Sequence, residues 1–339
     1  MKAGRRAPSS TINVLATALA ALMSLPMVGL APHPTPVDDL IRLRTALGSS
    51  APRLLMKRDD LLSFAMGGNK VRKLQAVAAE AITAKSDALI TCGGIQSNHA
   101  RVTAAAGAAL GLRVVLVLNG APPAKSTANL FLDRLFGAEI RHVATREARA
   151  AQMEAIAAEL RAAGHRPFIV PLGASTPTGA LGFARGVAEV VAAGHRPQVV
   201  VSATSSGGTQ AGLLGGAALF GLDTRVIGVS ADDPAVSLSP TVSRLVEAMA
   251  AALGAKPSSL GADVPVEVDD RWVGEGYGVP TPESIEALEL VARTEGILLD
   301  PVYTAKAMAS LLARIRGGEF TPDQTVLFWH TGGQVANFI

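Results

Sequence analysis

The chain has 339 residues, a formal net charge of +3 and a single cysteine, Cys92. Its length allows two compact lobes, and its composition of 49% apolar and 4% aromatic residues favours helices packed on a parallel sheet. The small net charge and the lack of a basic run argue against a nucleic-acid partner. The lone cysteine excludes an internal disulfide and a cysteine-cluster metal site. Six scattered histidines without an H-E-x-x-H motif give a zinc site little support.

The N-terminal segment has the pattern of a secretory signal. Lys2, Arg5 and Arg6 precede an apolar run, INVLATALAALM, from Ile12 to Met23. Pro26 follows soon after this run, which therefore fits a membrane span poorly. An early start codon or an apolar helical extension would explain the same residues, so all three interpretations stay open at this point.

Beyond residue 86, strand-like and helix-like segments alternate along the chain. The predicted strands are DALIT (Asp87–Thr91), RVVLVLN (Arg113–Asn119), EIRHV (Glu139–Val143), PFIVPLG (167–173), PQVVVSA (197–203), TRVIGVSA (224–231) and TVLFWHTGG, which runs into a glycine turn (Thr325–Gly333). The predicted helices are Asn98–Gly111, Thr127–Gly137, Thr145–Gly164 with Thr145 as its N-cap, one that begins near Gln210, and Pro282–Gly296. This alternation predicts an α/β fold with parallel sheets.

Three glycine-rich segments follow or adjoin these strands, where open α/β sheets bind their ligands. The first, TSSGGTQAG, runs from Thr204 to Gly212 and comes before a predicted helix. Its backbone amides could hold an anion at the helix N-terminus, although a tight turn without a ligand would have the same composition. It lacks both the G-K-[ST] of a nucleotide loop and the G-x-G-x-x-G of a dinucleotide site, so it suggests a single phosphate group.

The other two segments add polar side chains. In CGGIQSNHAR, Ser97 and Asn98 stand between a strand and its helix, where either could be a simple helix cap. In GGNKVRKL, Lys70 follows a flexible turn and opens a helix, although most lysines are only solvated surface residues. A phosphate cradle combined with a turn-mounted lysine fits pyridoxal 5'-phosphate held as a Schiff base, with Asn98 able to contact the ring oxygen.

Seven motifs in order then make a family resemblance plain. They are KRDD, GGNKVRKL, GGIQSNHAR, GGTQAG, GEGYGVP, LLDPVYTAKAM and FWHTGG. The chain from about Leu25 to its C-terminus resembles the D-cysteine desulfhydrase and 1-aminocyclopropane-1-carboxylate (ACC) deaminase family of fold-type II pyridoxal-phosphate enzymes. The resemblance implies two open, twisted parallel-sheet α/β domains with the cofactor between them.

The resemblance also assigns roles to single residues. Lys70 matches the Schiff-base lysine, Ser97 the active-site serine and Asn98 the contact to the ring oxygen, while Tyr277 and Tyr303 match tyrosines that face the substrate. The residues expected to hold the cofactor are Lys70, Asn98, Thr204, Ser205, Ser206, Gly207, Gly208, Thr209, Thr304 and Thr331. Three departures stand out: Ser205 replaces a common glycine, Gln75 replaces a common acid, and the chain stops at Ile339, slightly earlier than its relatives.

Domain boundaries and partners follow from the same resemblance. Residues 24–71 and 176–339 are expected to form the large cofactor-binding domain, residues 72–175 the small domain, and residues 1–23 an extension. Because cleavage near Ala31 would remove part of the usual domain, a cytoplasmic location is preferred over export. The expected partners are a small amino-acid substrate and a second copy in a homodimer, with no nucleic acid and no membrane.

The branch of the family depends on the partner of the pyridine nitrogen. ACC deaminases carry glutamate directly after the PVY tyrosine and leucine in the HxGG turn, where this chain has Thr304 and Thr331. A hydroxyl cannot keep the nitrogen protonated as a carboxylate does, so the weaker electron sink favours β-elimination of a good leaving group. D-cysteine is therefore the first candidate substrate.

Three alternatives are kept beside D-cysteine desulfhydrase. ASTPTGALGF and GEGYGVP also resemble L-cysteate sulfo-lyases, so L-cysteate or another β-substituted amino acid such as β-chloroalanine is a close rival. ACC deaminase is disfavoured by Thr304 and Thr331. A non-catalytic pyridoxal-phosphate carrier or sensor is disfavoured because Lys70, Ser97 and both tyrosines are present.

Overall fold

The computed structural model describes residues 9–338, and the side chains of residues 15–338. The basic residues of the signal-like pattern, Lys2, Arg5 and Arg6, lie outside the described residues. The helices are α1 (Ser9–Met23), α2 (Ile41–Leu47), α3 (Asn69–Thr83), α4 (Asn98–Leu110), α5 (Ala128–Leu135), α6 (Ala148–Ala162), α7 (Pro177–Ala192), α8 (Gly208–Leu219), α9 (Ala235–Ala252), α10 (Pro282–Glu295) and α11 (Thr304–Arg316). The strands are β1 (Val37–Asp39), β2 (Arg53–Arg58), β3 (Ala88–Gly94), β4 (Arg113–Asn119), β5 (Glu139–Val143), β6 (Pro167–Ile169), β7 (Val199–Thr204), β8 (Arg225–Ser230), β9 (Glu267–Asp269) and β10 (Thr325–His330).

These strands form two sheets. One has six strands in the order β1-β2-β10-β7-β8-β9, and the other has four in the order β5-β4-β3-β6. Only β1 pairs antiparallel, with β2, and every other pairing in the described chain is parallel. The predicted α/β fold with parallel-dominated sheets is confirmed, whereas the predicted domain boundaries stay a prediction.

The central strands of the six-stranded sheet are covered on both faces, which explains why β7, β8 and β10 are largely apolar runs. Alternate residues of the central strands enter different cores: Val201 and Phe328 pack with residues of α10 and α11. Their neighbours Val200 and Trp329 pack on the opposite face with Phe183 of α7. Burial on both faces holds these strands in place, and the loops that line the cavity begin at their carboxyl ends.

Helix α3 is tied to the large sheet by buried ion pairs. Arg72 donates to both oxygens of Asp59 at 2.7 Å and to Glu189 of α7 at 2.6 Å. Trp329 of β10 also donates its indole N–H to Asp59 at 2.7 Å. Because these charges are paired and hydrogen-bonded, their burial fixes the first turn of α3, which also carries Lys70, against the sheet.

The N-terminal helix α1 packs on the rest of the molecule. Ala18 and Leu22 are fully buried in a core that they share with Ala180 and Leu181 of α7. No helix within residues 9–338 is both long enough and apolar enough to cross a membrane. The interpretation of residues 1–23 as an extension and the cytoplasmic location stay predictions.

The structure corrects one predicted helix start and confirms another to within two residues. Helix α6 begins at Ala148 with Glu147 in the cap position, so the prediction that Thr145 is the N-cap is wrong. Helix α8 begins at Gly208, two residues before the predicted start near Gln210, because Gly207 adopts a left-handed conformation that ends the loop.

Candidate active site

A cavity of about 270 Å³ lies between the carboxyl ends of the two sheets. The last residue of β4 and the segments that follow β3, β5 and β6 of the small sheet line it, as do those that follow β7, β8 and β10 of the large sheet. This is the place where open parallel sheets bind ligands. It brings together most of the predicted site residues: Lys70, Ser97, Asn98, Thr204, Ser205, Ser206, Gly207, Thr209, Tyr277, Tyr303 and Thr331.

Lys70 enters the cavity from a turn that only glycine can form. Gly67 and Gly68 have φ values of +71° and +99°, and a Cβ at Gly68 would lie 2.8 Å from the carbonyl oxygen of Thr331. The same oxygen accepts the backbone N–H of Asn69 at 3.0 Å. The turn therefore packs closely on the residue that follows β10, and Lys70 is the second residue of the helix α3 that begins after it.

The environment of Lys70 shifts its amine toward the neutral form. The pKa of Lys70 is lowered to about 8, mainly by burial and also by the nearby Arg101 guanidinium, while Asp300 opposes both effects. Its Nζ donates to the Asn69 side-chain oxygen at 3.2 Å. A pKa near 8 leaves a share of the amine unprotonated near neutral pH, as a nucleophile or proton acceptor needs.

Ser97 both caps a helix and lines the cavity. Its Oγ accepts the N–H of Ala100 at 3.2 Å, so the capping interpretation of Ser97 is correct. A Cβ at Gly93 would lie only 2.5 Å from this hydroxyl oxygen, which explains the glycine at the end of β3. Because the cap uses the oxygen as an acceptor, the hydroxyl proton remains available to a ligand.

The loop between β7 and α8 has the geometry of an anion cradle. Gly207 has φ +81°, whereas Ser205 does not adopt a positive φ, so the glycine that Ser205 replaces is not required there. The first N–H groups of α8 and the helix dipole favour negative charge at this end. Thr209 accepts a hydrogen bond from Asn69 at 2.8 Å, which joins the loop to the turn that carries Lys70.

Ser175, which sequence reasoning did not assign, stabilises this loop. Its Oγ accepts the Gly208 N–H at 3.1 Å, lies 2.8 Å from the Ser206 hydroxyl and accepts from Lys73 at 3.2 Å. Gly208 does not line the cavity, and its N–H is already bonded. Its predicted contact with the cofactor therefore stays a prediction.

Tyr277 and Tyr303 lie together at the wall. Their hydroxyl oxygens are 2.6 Å apart and their rings meet edge to face with centroids 5.8 Å apart. Burial raises the pKa of both phenols, that of Tyr303 well above its ordinary value, so both stay protonated at neutral pH. Either hydroxyl can donate to a bound ligand while the pair remains bonded.

An ion pair across the cavity was missed from the sequence. Arg146, after β5, binds the carboxylate of Asp232, after β8, through both terminal nitrogens. The Arg146 guanidinium also lies 5.8 Å from the centre of the Tyr277 ring, and Arg149 lines the cavity beside it. Both partners follow strand ends closely, which is the one sequence signal that could have identified them.

Thr304 is the other predicted residue that the structure does not bring to the cavity. It is fully buried, and its hydroxyl donates to Asp300 at 2.6 Å. The Asp300 carboxylate also accepts the backbone N–H groups of Val302, Tyr303 and Thr304, at the start of α11. A contact between Thr304 and the cofactor stays a prediction, and it would require this hydroxyl to leave Asp300.

The residues present fit pyridoxal phosphate. Thr204, beside the anion cradle, has a buried hydroxyl that finds no hydrogen-bond partner among the described residues, as expected of a group that meets a ligand. Gly207 lines the cavity directly before the N-terminus of α8, and Lys70 lines the same cavity. Asn98 lies on the opposite wall, at the N-terminus of α4.

Comparisons with known proteins agree with this geometry. Residues 28–332 match the family model described as "Pyridoxal-phosphate dependent enzyme". The chain is similar to a solved ACC deaminase homologue, with 34% identity over 95% of this chain and 96% of that one and a TM-score of 0.87.

Two more distant structures share the fold. The processed form of threonine deaminase isoform 2 from Solanum lycopersicum is 18% identical over 98% of this chain and 86% of that one, with a TM-score of 0.64. A pyridoxal 5'-phosphate-dependent aspartate racemase is 14% identical over 97% of each chain, with a TM-score of 0.66. With its motifs, its cavity and its match over most of its length, the chain belongs to the family of pyridoxal-phosphate-dependent enzymes and has their fold-type II architecture.

Proposed function

We propose that this protein is a β-eliminating lyase that converts D-cysteine and water to pyruvate, hydrogen sulfide and ammonia. The observation that carries the proposal is that the cavity wall of the described chain offers a neutral hydroxyl and no unpaired carboxylate. Thr331 offers a hydroxyl there, and the only carboxylate that lines the cavity in the described chain is Asp232, which Arg146 already holds. Pyridoxal phosphate, when bound, delocalises the electron pair left on Cα, and a hydroxyl beside its nitrogen suits a short-lived carbanion.

Lys70 is the group best suited to take the Cα proton. Its amine lies in the cavity with a pKa of about 8, lowered by burial and then by Arg101. Ser97 is less suited because its oxygen already accepts the Ala100 N–H. We assign to the Ser97 hydroxyl the task of donating to the substrate carboxylate.

The two tyrosines suit the departure of sulfide. Because both phenols stay protonated, one of them can donate a hydrogen bond to the sulfur as negative charge develops on it. Their hydrogen bond of 2.6 Å lets the second phenol hold the first in position. Tyr277, which is 37% exposed, lies nearer the solvent and suits the exit of the leaving group.

Ring opening of ACC has less support from these residues. ACC has no leaving group on Cβ, so its carbanion must be held longer, and a carboxylate beside the pyridine nitrogen would serve that need. Asp300 is the buried carboxylate near Lys70, but the start of α11 and the Thr304 hydroxyl occupy it. The similar solved structure is called an ACC deaminase homologue, and that name describes the other protein.

A substrate panel tests the proposal. Pyruvate release should be measured with D-cysteine, L-cysteine, L-cysteate, β-chloroalanine and D-serine, beside 2-oxobutyrate release from ACC. We expect the highest kcat/KM with D-cysteine, with sulfide formed in equal amount to pyruvate. A preference for ACC would contradict the proposal, and a cofactor-loaded protein without any product would favour the non-catalytic carrier.

L-cysteate is the second candidate because of the arginines at the wall. Arg146 and Arg149 both line the cavity, whereas Asp232 supplies a single negative charge. A guanidinium recognises a sulfonate well, since its N–H groups form a planar fork. Arg146 could exchange the Asp232 carboxylate for the sulfonate of a bound substrate.

Replacing Arg146 by glutamine distinguishes these two substrates. If Arg146 binds a sulfonate, Arg146→Gln should lower kcat/KM for L-cysteate by roughly 10- to 100-fold, the effect of one charge-assisted hydrogen bond. The same variant should change kcat/KM for D-cysteine less than about threefold. Arg161→Gln, at an exposed arginine of helix α6, which begins two residues after Arg146, is the matched control. Equal losses on both substrates would remove the sulfonate role of Arg146.

A further inference from the structure

Asn98 has its side-chain amide held in one orientation. Its Oδ1 accepts a hydrogen bond from Arg101 Nη1 at 2.6 Å and a second one from Asn129 Nδ2 at 3.0 Å. A guanidinium can only donate, so the amide oxygen must face Arg101. The NH2 group is therefore left for the cavity that Asn98 lines.

The two donors are themselves fixed. Arg101 and Asn129 are both fully buried, and Arg101 Nη1 also donates to Asn129 Oδ1 at 2.5 Å. Asn129 is held from its other side by Gln96, whose side-chain oxygen accepts the Asn129 N–H at 2.9 Å and whose carbonyl accepts Nδ2 at 2.8 Å. A half-turn of the Asn98 amide would set its NH2 against these donors, so the network specifies one amide orientation.

Arg101 also reaches the segment that carries Lys70. Its Nη2 donates to the carbonyl oxygen of Gly67 at 3.2 Å. Gly67 belongs to the glycine turn immediately before Lys70. One guanidinium thus connects the amide of Asn98 on α4 with the turn that positions the lysine.

The charge near Asn98 is positive at neutral pH. Burial lowers the pKa of Arg101 to about 10, and Asp133 and Asp300 oppose that shift, so the guanidinium stays charged at pH 7. Burial raises the pKa of the nearby Asp133 carboxyl to about 8, although Arg101 opposes it, which leaves Asp133 largely neutral at pH 7. The wall that carries Asn98 is therefore suited to an anionic oxygen.

We infer that Arg101 and Asn129 are positioning residues, which hold the Asn98 amide with its NH2 toward the ring oxygen of pyridoxal phosphate. Arg101 also fixes the position of this amide relative to the turn that carries Lys70. This inference rests on the proposed contact between Asn98 and that oxygen. Neither Arg101 nor Asn129 lines the cavity, so both would act through Asn98. A donor to the ring oxygen stabilises its ionised form, and the bound cofactor then absorbs at longer wavelength than when the oxygen carries the proton.

The test uses the visible spectrum of the cofactor-loaded protein without substrate. Asn98→Ala should raise the ratio of the short-wavelength to the long-wavelength form by about tenfold, the effect of one hydrogen bond to a charged group. Arg101→Lys, which keeps the charge but loses the planar fork, should shift the ratio in the same direction, as should the uncharged change Asn129→Leu. Thr103→Val, at a buried residue of α4 whose hydroxyl only bonds the His99 carbonyl, should leave the ratio unchanged.

A double variant decides whether Arg101 acts through Asn98. In the Asn98→Ala background, Arg101→Lys should add no further change to the spectral ratio, because the amide that it positions is gone. An equal shift in both backgrounds would overturn the positioning role. An unchanged ratio in Arg101→Lys and Asn129→Leu would overturn it as well.

The dissociation constant of the cofactor is the second readout. Titration of the apoprotein should show weaker binding in Asn98→Ala and in Asn129→Leu, each by roughly tenfold or less. A normal spectrum and normal affinity in Asn98→Ala would remove the contact with the ring oxygen, and the positioning role with it. Because these measurements need no substrate, they stay valid even if the preferred substrate is not D-cysteine.

Discussion

Alanine in place of Lys70 should reduce turnover of every substrate by about 10³-fold or more, because the variant would lack both the proposed attachment point of the cofactor and the proposed proton acceptor. Steady-state kinetics on D-cysteine measure the loss. Lys70→Arg should be equally inactive, since a guanidinium stays protonated and cannot replace the amine. The cofactor should still bind through its phosphate, although more weakly.

Added small primary amines provide the control for Lys70→Ala. If the lysine acts as a base and a nucleophile, such amines should restore part of the turnover in the alanine variant. They should not restore Lys70→Arg, in which the larger side chain fills the space. Turnover above a tenth of the wild-type rate in Lys70→Ala would contradict the assigned role.

Valine at both Gly207 and Gly208 should weaken cofactor binding by at least about 100-fold. Gly207 has φ +81°, which a β-branched residue rarely adopts, and a Cβ at Gly208 would lie 2.6 Å from Ser175 Oγ. The double change would therefore distort the loop at the N-terminus of α8. Titration of the apoprotein with pyridoxal phosphate measures the effect.

Two milder variants show whether the weaker cofactor binding results from damage to the anion cradle between β7 and α8. Thr209→Ala should cost about 1 kcal/mol, or roughly fivefold in affinity, as expected for one neutral hydrogen bond. Gly221→Ala introduces a Cβ at φ +61° just beyond the other end of α8, and it should lower stability without changing cofactor affinity. Unchanged affinity in the valine double variant would show that the phosphate binds elsewhere.

The buried strands and the loops that follow them were predictable from the sequence. Strands such as β4 and β7 are short apolar runs closed by polar or glycine residues, and β4 has the predicted bounds, Arg113–Asn119. Lys70 and Ser97 were found because each lies next to a glycine turn or a strand end, and the structure brings both to one cavity. The apolar runs predict the strands, and the residues that follow each strand end or glycine turn are the candidates for the site.

Contacts between distant segments were not predictable in the same way. Arg146 and Asp232 are 86 residues apart, and their pairing exists only because two separate sheets place their strand ends at one cavity. Thr304 was expected at the cofactor because it follows Tyr303, yet Asp300 four residues earlier holds its hydroxyl. The direction of a side chain at a helix start depends on such competing partners, which composition and spacing do not reveal.

The attachment site of the cofactor is the most direct test of this account. The holoprotein should be reduced with borohydride, digested, and its peptides mapped by mass spectrometry. We predict loss of the visible band and a single reduced adduct, on Lys70. An adduct on Lys73, which lies buried against Ser175, or on Lys57, which is paired with Glu189, would contradict the account.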